Sequence, residues 1–137
     1  MEQRVSFITL AVSDLVATRS FYVDGLGWEP TLEVGSEVLM FGVADKVVLS
    51  FWSEAGFEAE VGPIHRGDGI VPITLSHNVA TEPEVDAVLA DARAAGATEV
   101  CAAETREWGG YTGYFADPDG FRWEVAWNPG PIGQTVL

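Results

Sequence analysis

The chain has 137 residues, 47% of them hydrophobic and 20% charged, the balance of a globular protein with a core of its own. Seven Lys and Arg against 21 Asp and Glu give a formal net charge of −14, which phosphate backbones and anionic membranes repel, so neither nucleic acid nor a membrane is an expected partner. The single cysteine, Cys101, excludes an intrachain disulfide and every multi-cysteine metal motif.

No apolar run approaches the roughly 18 residues that a bilayer requires. The start, Met1-Glu2-Gln3-Arg4, is not a basic segment leading into an apolar one with a small-residue cleavage site. The expected compartment is the cytoplasm.

Taken in chain order, Val5 to Val12 reads as a strand, with Ile8, Leu10 and Val12 on one face and Phe7, Thr9 and Ala11 on the other. Ser13 or Asp14 can cap a helix carrying Leu15, Phe21 and Tyr22, and Gly25 and Gly27 supply its stop. Strands are then predicted near Trp28–Val34, Glu37–Val43 and Lys46–Trp52, joined by short turns into an antiparallel meander. Ser53–Gly69 shows no clear period and reads as a connector.

The same order then returns. Ile70 to Val79 reads as a strand, and Thr81-Glu82-Pro83-Glu84 has the pattern of a capping box. Val85, Val88, Leu89 and Ala92 form an apolar stripe on the helix that follows, ended by Gly96. Strands are predicted near Thr98–Ala103, Gly110–Phe115 and Phe121–Trp127, the last two joined by the turn Asp117-Pro118-Asp119-Gly120. The chain is βαβββ written twice, offset by about 65 residues. The fold class is therefore α+β, a single domain over 1–137 with module one at about 5–52, a connector at 53–69 and module two at about 70–129.

This order, with the phrases Ile8-Thr9-Leu10-Ala11-Val12-Ser13-Asp14-Leu15, Phe21-Tyr22-Val23-Asp24-Gly25-Leu26-Gly27 and Tyr114-Phe115-Ala116-Asp117-Pro118-Asp119-Gly120-Phe121-Arg122-Trp123-Glu124, resembles the vicinal oxygen chelate superfamily. That group includes glyoxalase I, the fosfomycin- and bleomycin-resistance proteins and the extradiol dioxygenases. The resemblance runs from about Val5 to Pro129 and implies two modules forming a cupped sheet. In metal-dependent members it implies a divalent ion held by a His on the first strand, a residue on the fourth, a His on the fifth and a Glu on the last. Carried over, those positions fall on Phe7, near Leu49, on Pro72 and on Glu124. Only Glu124 is a metal donor, and one carboxylate does not make a site. His65 lies in the connector, and the parity of His77 with Ile73 and Leu75 turns it toward the helices. No metal or other cofactor is expected.

Phe121, Trp123, Val125 and Trp127 share the face under the helix, which leaves Arg122, Glu124 and Ala126 for the cup. A carboxylate there without a metal must be hydrated, paired or protonated, and Arg122 is a candidate partner. Glu124 is either a paired relic, the anchor of a cationic or hydrogen-bonding ligand, or a general base. The expected lining is Phe7 and Thr9 from the first strand, Leu49 and Phe51 from the fourth, Thr74 from the fifth, and Arg122 and Glu124 from the last. Trp108 and Tyr111 stand at the mouth, the indole beside Gly109-Gly110 and able to close over a flat ligand. Core or interface packing is the alternative role for these rings. Cys101, with no His near it in sequence, reads as inert packing.

Three functions follow. The first is metal-independent binding of a small aromatic or cationic molecule, as in bleomycin resistance. The second is a metal-dependent lyase, isomerase or dioxygenase drawing its ligands from unexpected positions. The third is a metal-free lyase or isomerase with Glu124 as base. A homodimer is the expected assembly, since the resemblance implies it and pairing would cover sheet edges.

Overall fold

Asp14 starts the first helix: its side chain accepts hydrogen bonds from the N–H groups of Val16 and Ala17, at 2.9 and 3.2 Å. The computed structural model describes residues 1–65 and 67–137. They form two compact units, Met1–Asp68 and Gly69–Leu137, each built around one four-stranded sheet.

Module one runs β1 (Phe7–Val12), α1 (Leu15–Arg19), a π-helical continuation (Ser20–Gly25), β2 (Leu32–Val34), β3 (Val38–Ala44), β4 (Val47–Ser53) and α2 (Glu54–Glu60). The sheet order is β1-β4-β3-β2, with β1 parallel to β4 and the rest antiparallel. The wide π turn seats two consecutive rings, Phe21 and Tyr22, in the core. Tyr22 packs on Phe51, Trp28 and Phe41, with centroids 4.7, 5.2 and 6.0 Å away. Leu10, Val12, Leu39, Phe41, Leu49 and Phe51 complete that buried layer.

Two expectations for this module change. The predicted strand from Trp28 shortens to three residues, and the predicted connector carries α2, whose first turn is capped by Ser53 Oγ accepting from Gly56 N–H.

Module two runs β5 (Thr74–Val79), α3 (Glu82–Ala94), β6 (Thr98–Thr105), β7 (Tyr111–Ala116), β8 (Arg122–Trp127) and α4 (Pro131–Gln134), with sheet order β5-β8-β7-β6. β5 is parallel to β8, as β1 is to β4. Val85, Leu89 and Ala92 of α3 are buried, as are Phe115, Trp123 and Val125 of the sheet. Leu89 packs so closely on Gly113 that a Cβ there would lie 2.4 Å from Leu89 Cδ1. The capping box does not form: Thr81 is the N-cap of α3 but makes no side-chain cap hydrogen bond, and Pro83 stands in the first turn. Cys101 lies in β6 and is exposed rather than packed.

The β7–β8 turn is held from within. Asp117 is 1% exposed, and one of its carboxylate oxygens accepts from the N–H groups of Asp119 (3.1 Å) and Phe121 (3.0 Å). Gly120 takes a φ of +87°, which side chains rarely adopt. Replacing Asp117 by Ala strands both N–H groups and is expected to cost about 1–3 kcal/mol. Asn, which keeps one acceptor oxygen, should lose less. Urea unfolding of the three proteins checks the ranking.

Candidate functional site

The candidate site is the face of the module-two sheet turned away from α3. Strand register decides what stands on it. Glu124 is opposite Ser76 on the parallel neighbour β5 and opposite Tyr114 on the antiparallel neighbour β7. Residues facing each other across a ladder share a sheet face. The Tyr114 hydroxyl donates to Glu124 Oε1 at 2.8 Å and the Ser76 hydroxyl to Oε2 at 3.0 Å. Each carboxylate oxygen is thus fixed by one neutral donor. Among the described residues no cation pairs with Glu124.

The cations nearby are committed elsewhere. Arg122 is paired with Glu99 rather than with Glu124, which corrects the expectation of an Arg122–Glu124 pair. A bulge in β6 places Glu99 for that pairing, with a φ of +49°. Arg106 pairs with Glu104 and donates to Thr112 Oγ1 at 2.7 Å, with its guanidinium 5.7 Å from the centre of the Tyr114 ring. Burial, then the hydrogen bond to Glu124 and its negative charge, hold the Tyr114 hydroxyl above the ordinary tyrosine range.

Thr74 and Arg122 face each other beside Glu124, on the expected side of the sheet. Phe7 and Thr9 occupy the corresponding side of module one, where Thr9 stands opposite Ser50 as Ser76 stands opposite Glu124. Trp108 sits between β6 and β7, 56% exposed, with its ring over Gly110.

Three expected lining residues are placed differently. Leu49 and Phe51 point into the helix-side core against Tyr22, so β4 offers Val48, Ser50 and Trp52 on the other face. Tyr111 faces α3, where its hydroxyl donates to Asp86 at 3.1 Å. That hydrogen bond, then desolvation and the Asp86 and Glu82 charges, raise the Tyr111 pKa. Pro72 precedes β5, and the counterpart of Phe7 in the repeated register is Thr74. The sequence reading missed Ser76 and Arg106, and named Tyr114 without giving it a place in the site. Ser76 was within reach, two residues after Thr74 on the same strand face.

The donor chemistry can be tested against a divalent ion. The four repeat-related positions carry Phe7, Ser50, Thr74 and Glu124. Among the described residues no three His, Cys, Asp or Glu side chains gather. His77 pairs with Val125, on the α3 side. Neither module supplies a metal's donor set: Phe7 and Ser50 offer one neutral hydroxyl, and Thr74 and Glu124 one hydroxyl and one carboxylate.

The sequence profile of the Glyoxalase/Bleomycin resistance protein/Dioxygenase superfamily matches residues 4–125, and the chain belongs to that superfamily. It is similar to a glyoxalase-related enzyme from Fulvimarina pelagi, with 35% identity over 93% of this chain and 90% of that one and a TM-score of 0.82. A glyoxalase/bleomycin resistance protein/dioxygenase family enzyme from Burkholderia phytofirmans PsJN shares 22% identity over 89% and 96% of the two chains, with a TM-score of 0.75. A lactoylglutathione lyase from Agrobacterium tumefaciens shares 22% over 93% and 95%, with a TM-score of 0.70. The last two show the fold alone. No curated protein matches the chain.

The raised Tyr114 pKa has a pH consequence of definite sign. Above about pH 10 an unfolded chain ionises this phenol, while the folded protein keeps it protonated. The stabilisation is complete below pH 10 and is lost as pH rises through the folded value. Tyr114→Phe should therefore flatten the alkaline fall in stability. The difference in phenolate absorbance between wild type and Tyr114→Phe should titrate above the ordinary value, and Glu124→Gln should move it back down.

Proposed function

We propose that this chain is a small-molecule-binding member of its superfamily that works without a resident divalent metal and holds a cationic group of a flat ligand against Glu124. The observation that carries the reading is the state of that carboxylate: half-buried, oriented by two neutral hydroxyls and, among the described residues, lacking a cation. A charged donor placed against it gains a charge-assisted hydrogen bond without displacing an internal partner. The net charge of −14 favours the approach of cations and disfavours nucleic acid and anionic membranes as partners. Thr74 and Arg122 flank Glu124, and Trp108 offers an exposed ring in the same module. Phe7 and Thr9 are the counterpart positions on the sheet of module one.

A second reading is favoured by one contact. Tyr114, held protonated, donates directly to Glu124, an arrangement suited to proton transfer in a metal-free lyase or isomerase with Glu124 as base. The relative from Fulvimarina pelagi is described as an enzyme.

A thermal-shift screen of small aromatic cations and of Zn²⁺, Ni²⁺, Mn²⁺ and Fe²⁺ separates both metal-free readings from a metal-dependent enzyme, because a ligand of the folded state raises stability. Organic cations should stabilise the protein and the metals should not. Glu124→Gln should weaken a bound cation by about 1.5–3 kcal/mol, and Trp108→Ala should weaken an aromatic one. A full equivalent of metal that survives dialysis and is lost in Glu124→Ala would sink the metal-free reading.

We also place the protein in the cytoplasm as a homodimer, in which pairing covers open sheet edges. Light scattering at micromolar concentration should give twice the mass of one chain.

A further inference from the structure

Between Thr98, opposite Ala116, and Cys101, opposite Tyr114, β6 spends one residue more than β7. Plain alternation from Thr98 would send Glu99 to the α3 side of the sheet. The bulge, with Glu99 at a φ of +49°, brings its carboxylate to Arg122 instead. Left-handed backbone is unfavourable for any residue with a Cβ. Among the described residues Glu99 is the one non-glycine that adopts it inside a strand. Lys46, the other non-glycine with a positive φ, sits in a turn. The pair by itself does not account for the strain: the Glu99 side chain is 65% exposed, and such pairs add little stability.

The pair lies across β7. Arg122 and Thr98 both stand opposite Ala116, on the face turned away from α3. The small side chain of Ala116, 1% exposed, leaves a path along which the arginine reaches β6. The alternative carboxylate for Arg122 is Glu124, two residues along on the same face of β8. Each Glu124 oxygen accepts from one hydroxyl, so lone pairs remain for a further donor.

We infer that Glu99 is a positioning residue of the Glu124 site: by holding Arg122 across β7, it keeps the arginine off Glu124 and reserves that carboxylate for a cationic ligand. The inference rests on the reading of Glu124 as a cation anchor. It makes the site's preference for cations depend on a residue two strands away, and it gives the bulge a role that packing alone does not.

The test follows the Tyr114 phenol and a ligand probe separately. The ionisable groups facing Tyr114 are Glu124 from β8, Cys101 from β6 and Arg106 from just past β6. The charge of Glu124 helps to hold the phenol above its ordinary range, so an arginine brought against Glu124 lowers it. In Glu99→Gln the phenolate titration, read by absorbance against the same variant carrying Tyr114→Phe, should fall by about half a unit. Added to Arg122→Met, Glu99→Gln should leave the titration in place. Glu99→Gly suits the left-handed backbone, removes the same carboxylate and should give the same shift as Glu99→Gln. Benzamidinium, a flat aromatic cation, should bind Glu99→Gln about 5- to 10-fold more weakly than wild type by calorimetry. The inference is overturned if neither Glu99 variant moves the phenol, or if the shift is the same with and without Arg122. It is also overturned if benzamidinium binds wild type and Glu99→Gln equally tightly. A shift that requires Arg122 upholds the positioning role even where benzamidinium does not bind wild type, a result that removes the cation-anchor reading alone.

Discussion

The parallel pairing of each module's first strand with its last sets which side chains share each face of the two sheets. β1 lies beside β4 and β5 beside β8 in equivalent registers, so Thr9 faces Ser50 as Ser76 faces Glu124. A slip of one residue would exchange the two faces of the sheet and send Glu124 into the core beneath α3. The cores prevent that slip. Tyr22 and its aromatic neighbours hold Leu49 and Phe51 inward, and α3 holds Trp123 and Val125. What remains on the opposite faces is therefore dictated by packing on the near ones.

The distribution of cations explains why Glu124 has no ion-pair partner among the described residues. Seven Lys and Arg cannot neutralise 21 acids. The arginines near this carboxylate are held by Glu99, Glu104 and Thr112. Such partly exposed pairs contribute little to stability, but they fix where positive charge is absent. Two hydroxyls orient the Glu124 oxygens instead.

Much of this arrangement is legible in the residues. Asp14 and Gly27 bracket the first helical segment, the repeat of βαβββ gives the fold, and alternation in Trp123-Glu124-Val125 assigns β8 correctly. The turn at Asp117–Gly120 even sets the sum of paired positions that brings Tyr114 to Glu124. Tyr111 and Tyr114 are three apart, an odd separation in a strand, so one of them had to face α3. β4 is harder: Val47-Val48-Leu49-Ser50-Phe51-Trp52 is apolar on both sides, and alternation there carries no inside and outside. Its only marker is Ser50. The Arg122–Glu99 pair depends on a bulge and a left-handed residue in a distant strand, which no local pattern announces.

The repeat also orders the making of the chain. Every strand pairing of module one joins residues no later than Ser53, and every pairing of module two begins at Thr74 or beyond. Among the described residues no ladder crosses between them. During synthesis the first sheet has all its strands before β5 emerges, so its apolar segments need not wait exposed for a partner from the far end of the chain. Each sheet thus closes within its own half of the chain, a property of the order of the sequence as much as of the finished protein.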